Sequence, residues 1–155
     1  MRYLSLVIFA IILSCNGQKK AAMKDNSGMN EGGEKLTLLL QDNYSGTDVA
    51  ETLVIRDIKA LKRFYSKINR TRKPGLPVPE VDFTKEMILI YCSGEQTNGK
   101  QATLSVEEEN DSEVIISTSV KKTQKSSVSS ALISPFSVYK MPLTQKEISF
   151  KKKIK

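Results

Sequence analysis

The 155-residue chain has no histidine and no tryptophan, and its only cysteines are Cys15 and Cys92. Each absence removes a class of chemistry. Without histidine, a Ser or Cys nucleophile lacks its usual general base, and a transition metal lacks its commonest ligand. With so few thiols, a zinc site would rest on carboxylates alone, which zinc rarely accepts. A Ser–Lys dyad needs a desolvated lysine, whereas Lys125 with Ser126 and Ser127 lies in a polar stretch. Glu107, Glu108, Glu109 and Asp111 offer oxygens for calcium but lack a spaced ligand loop with its glycine, and read as a solvated turn. Gly94 and Gly99 precede a strand pattern rather than a helix, so they do not form a phosphate cradle. These absences argue against an enzyme and against a bound cofactor or metal.

No apolar run approaches the twenty or so residues needed to cross a bilayer. The longest, Leu4 to Leu13, has about ten and follows Arg2, the pattern of an export signal. It stops at Ile12-Leu13-Ser14-Cys15, and polar Asn16-Gly17-Gln18-Lys19-Lys20 begins at once. Ile12–Cys15 resembles the bacterial lipobox: an aliphatic residue three before the cysteine, a small one just before it, then the thiol that accepts diacylglycerol. The expectation is therefore a signal peptide over 1–14 and a Cys15 carrying diacylglycerol and an N-acyl chain. Residues 15–33, rich in Gly, Asn, Ser, Lys and Glu, read as a flexible tether. A leash of that length spans roughly 20–25 Å, which keeps the domain near the membrane. The absence of an acidic run after Cys15 points to the periplasmic face of the outer membrane within a bacterial cell envelope. Lipidation would leave Cys92 unpaired, and its place in Met87-Ile88-Leu89-Ile90-Tyr91-Cys92 reads as a buried, unreactive thiol.

The formal charge is +7, gathered at Lys19-Lys20-Lys24, between Lys59 and Lys73, and in the tail 151–155. An exported protein meets little nucleic acid, so anionic lipid or an acidic partner is the expected counterpart. Most of these lysines read as solvated surface.

From Lys35 onward the pattern is that of one folded domain, 34–150. Leu36–Gln41 and Glu51–Ile55 are strand candidates separated by the turn formers Asp42–Gly46. Ile58, Leu61, Phe64, Tyr65 and Ile68 then form one stripe of a helix near 57–69, with Asp57 as N-cap. Pro74, Pro77 and Pro79 end it in an extended connector. Met87–Cys92 is apolar throughout, as a central buried strand would be. Gln101–Glu107 alternates, Asn110-Asp111-Ser112 turns, and Glu113–Val120 returns. Lys121–Ser130 is a polar loop or edge. Ala131–Pro142 closes the core with a break at Pro135, and Glu147–Lys151 adds a last edge strand. Asp82 is expected to tie the connector by side-chain-to-backbone hydrogen bonds. The sum is an α+β domain, mainly antiparallel, with six to seven strands in a sandwich-like or open-barrel arrangement and one amphipathic helix.

Val81-Asp82-Phe83-Thr84-Lys85-Glu86-Met87, the apolar Ile88–Cys92, the Gly94–Gly99 hairpin, Ala102–Val106, Val114–Val120 and Ser134-Pro135-Phe136-Ser137-Val138-Tyr139-Lys140 follow one another in an order that resembles the PrcB family. That family is named for a lipoprotein subunit of a bacterial surface protease complex. The likeness covers Leu76 to Pro142, and departs where the family pattern has a second glycine and an aromatic: here Lys100 and Gln101 follow Gly99. It implies a non-catalytic accessory role, binding or stabilising another exported protein, with a protease as precedent. Loops carry function more often than strands, so the partner contacts are expected at Gly94, Glu95, Thr97, Asn98, Gly99 and Lys100, and at Lys121, Lys122 and Lys125. Two other readings stay open: a protease inhibitor using the same loops, and a structural envelope lipoprotein whose lysines meet acidic polymer or lipid.

Overall fold

The computed structural model describes residues 35–97, 101–120 and 131–152; the signal and tether, with Cys15, lie outside the described residues. Seven strands and one helix follow in the order β1 (Thr37–Asp42), β2 (Ala50–Ile55), α1 (Ile58–Ile68), β3 (Glu86–Ser93), β4 (Ala102–Glu109), β5 (Glu113–Val120), β6 (Phe136–Pro142) and β7 (Glu147–Lys152). They form an α+β domain of two sheets that are not closed into a barrel. One sheet has the order β1-β6-β3-β2 and is antiparallel throughout. The other has the order β4-β5-β7, with β4 antiparallel and β7 parallel to β5. The last strand runs through Lys151 and Lys152, the first two residues of the expected basic tail.

Three layers result, and β3 is the reason. Ile88, Ile90 and Cys92 point to one side and pack with Leu61, Phe64, Tyr65 and Ile68 of α1. Met87 and Leu89 point to the other and pack with Leu104, Val114 and Ile116 of the smaller sheet. A strand covered on both faces has no polar side to show, which is why its sequence does not alternate. A bulge in β1, between Leu38 and Leu40, breaks the alternation there. It lets the consecutive Leu39 and Leu40 both join the helix-side core.

The helix begins where the sequence places it. The Asp57 carboxylate accepts a hydrogen bond from the Ala60 N–H at 2.8 Å, satisfying one of the orphan donors of the first turn. At the other end, the Asn69 side chain accepts from the Leu76 N–H and donates to the Leu76 carbonyl, each at 2.8 Å. That pair folds the proline-rich connector back, so that Leu76, Val78, Val81 and Phe83 cover the helix-side core. Asp82 ties the connector as expected: its carboxylate accepts from the Thr84 N–H at 3.0 Å.

Strand directions give the domain two distinct ends. The chain enters at Lys35, beside the start of β1, where β2 ends, β3 starts and α1 begins. The loops after β1 and β3, and the segment before β6, gather at the opposite end. A six-residue strand rising ~3.4 Å per residue separates the two ends by roughly 17–20 Å.

Candidate functional site

Three segments meet at the loop end: 43–49, 94–97 and 131–135. The Gln96 N–H donates to the Ile133 carbonyl at 2.7 Å, and the Ile133 N–H donates back at 2.9 Å. The Ser45 N–H donates to the Ser134 carbonyl at 2.6 Å, and the Ser134 N–H donates to Asn43 at 3.0 Å. Ser45, Thr47 and Ser134 are all buried, with the Ser45 and Thr47 hydroxyls 2.9 Å apart. Buried hydroxyls are tolerated only when partnered, and these staple three loops into one block. Gly94, at φ +74°, closes the contact: a Cβ there would lie 2.8 Å from backbone atoms of Val49 and Ala50. Only glycine combines that left-handed backbone with so close an approach.

Beneath the block lies the Cys92 thiol, hydrogen-bonded to the Ser45 and Thr47 hydroxyls. Burial first, and the Glu51 carboxylate second, push it up to about 11. It is therefore protonated at neutral pH and, being fully buried, has no route to a substrate.

The outer surface of the block is apolar in three places: Tyr44 is 41% exposed, Val49 72% and Leu132 60%. These are three of the five large hydrophobic side chains exposed among the described residues, the others being Leu38 and Ile58. Tyr44 is held in place. The Arg72 guanidinium pairs with both oxygens of Asp42, donates to the Tyr44 carbonyl at 3.0 Å, and lies 5.7 Å from the Tyr44 ring centroid. Burial alone would raise the Asp42 pKa, but hydrogen bonds from Arg72 and from the Tyr44 and Asn43 backbone bring it below its ordinary value of 3.8. A preordered aromatic loses little freedom on binding, which favours a protein interface.

Of the residues expected to meet a partner, Gly94 is buried and acts as a support, while Glu95 and Thr97 are exposed on the block. Asn98, Gly99, Lys100, Lys121, Lys122 and Lys125 lie outside the described residues. The described segments 94–97 and 131–135 are joined through the Gln96–Ile133 pair. The third segment, 43–49, reads in the sequence only as a turn. Its signal is the alternation of small hydroxyls and glycine in Ser45-Gly46-Thr47, which suits a buried hydrogen-bonded turn. Among the described residues no group of three or more Cys, Asp or Glu is placed to hold a metal ion. Glu109 instead pairs with two lysines, Lys146 and Lys35, which hold its carboxyl down at about 2. No family model matches the chain, and neither does any curated protein or solved structure.

Proposed function

We propose that this chain is a bacterial envelope lipoprotein, anchored through lipid on Cys15, whose domain is a non-catalytic module that binds and stabilises another exported protein. The observation that carries this reading is the stapled loop block, with Tyr44, Val49 and Leu132 exposed on it. It sits at the far end of the strands from Lys35. The likeness of Val81–Met87 and the segments after it to the PrcB family supports the same role, and makes a protease a suitable partner. The burial of Cys92 under the block removes that thiol as a nucleophile.

Two readouts test it. Labelled palmitate should enter the chain at Cys15, and Cys15→Ser should release it from membranes. Purification of the lipidated chain from membranes should recover one exported protein in stoichiometric amount. An unlabelled chain that stays membrane-bound after Cys15→Ser would overturn the anchor, and a chain that purifies alone would overturn the binding role.

A further inference from the structure

Of the three basic concentrations along the chain, the largest lies between Arg56 and Lys73. Residues 56–73 hold eight of the 24 Lys and Arg but one of the 17 acids, leaving sixteen of each sign elsewhere, so the rest of the chain is neutral. Helix α1 arranges these cations. At about 100° per residue, Leu61, Phe64, Tyr65 and Ile68 fall on one side, which the core buries. Lys59 and Arg63 fall on the opposite side, flanked by Lys62 and Lys67, and all four are exposed. Arg70 extends the row beyond the last turn. The acid within the segment, Asp57, is occupied as N-cap, and across the helix Glu51 faces Lys67 alone.

We propose that the outward face of α1 is a docking surface for an anionic phospholipid leaflet. Charge complementarity selects the occupant: a row of exposed cations held on a rigid element matches an anionic headgroup layer. Each basic residue brought to such a surface strengthens binding about fivefold, and the attraction fades beyond a Debye length of about 10 Å. A lipid on Cys15 would raise the concentration of the domain at the leaflet, where that short-range force acts. The lipid-anchor reading contributes only this proximity, and the test below is made without the lipid.

The test uses the full chain carrying Cys15→Ser, with vesicles of phosphatidylcholine alone or mixed with phosphatidylglycerol. The ratio of the two affinities cancels whatever the apolar Leu4–Leu13 run contributes. Replacing Lys59, Lys62 and Arg63 by Gln should lower that ratio by about a hundredfold at low salt, from three factors of five. Replacing the exposed Lys85, Lys151 and Lys152 by Gln should lower it less than threefold. Equal losses in the two variants would overturn the proposal, as would an unaltered chain with no preference for the anionic vesicles. Retention on polyglutamate without vesicle binding would overturn it in favour of an acidic polymer.

Discussion

Asn69 uses its side-chain amide as a strand uses its backbone, giving and receiving one hydrogen bond with Leu76. Asn69→Ala should cost about 1–3 kcal/mol, two partly buried hydrogen bonds at about 0.5–1.5 each, measured by urea denaturation. Gly94→Ala should cost at least as much, because a positive φ of 74° and a 2.8 Å approach to backbone both oppose a Cβ. Cys92 offers a chemical readout of the same region. With its pKa pushed up to about 11 from 9.0, the thiolate fraction near neutral pH falls about a hundredfold. A thiol reagent should therefore leave Cys92 unmodified in the native state and modify it fully in urea; rapid native labelling would contradict the buried geometry. The burial was legible in the sequence, since Cys92 ends an apolar run. Its hydroxyl partners were not, because Ser45 and Thr47 lie more than forty residues earlier in the chain.

Helix α1 shows what a local pattern can specify. Its stripe and its Asp57 cap are readable within a dozen residues, and the observed Ile58–Ile68 matches them. Leu61→Ala, at a fully buried position, should cost about 2–5 kcal/mol, whereas Lys62→Gln on the exposed side should change stability by less than about 0.5 kcal/mol. The same holds for β3, whose unbroken hydrophobicity announces a strand covered on both faces. The parallel pairing of β7 with β5 was not legible, because a short edge segment carries no mark of its neighbour's direction. Nor was the joining of the 94–97 and 131–135 segments, which depends on Gln96 meeting Ile133.

The end of β4 is fastened to the chain entry by Glu109, which pairs with Lys146 and Lys35. Its folded pKa of about 2 lies below the ordinary 4.5, so its contribution to stability is full above pH 4.5 and is lost as pH falls towards 2. Glu109→Gln should therefore lower the melting temperature at pH 7 while converging with the parent near pH 2. Parallel curves across that range would contradict the pairing.

At the scale of the whole molecule, the three features occupy different places. The chain enters at one end of the strands, the stapled loops close the other, and the cationic helix covers one broad face. If α1 rests on the leaflet, the strands run along the membrane plane and the loop block opens sideways. The most direct measurement is co-purification from membranes of the lipidated chain against its Val49→Asp and Leu132→Asp variants, with Thr52→Asp on the exposed edge of β2 as control. Both altered positions are more than half exposed, so the fold should be kept, and circular dichroism would verify it. The account predicts one stoichiometric exported partner for the parent and the control, reduced at least tenfold by either loop variant. A partner recovered equally by all four chains would contradict it.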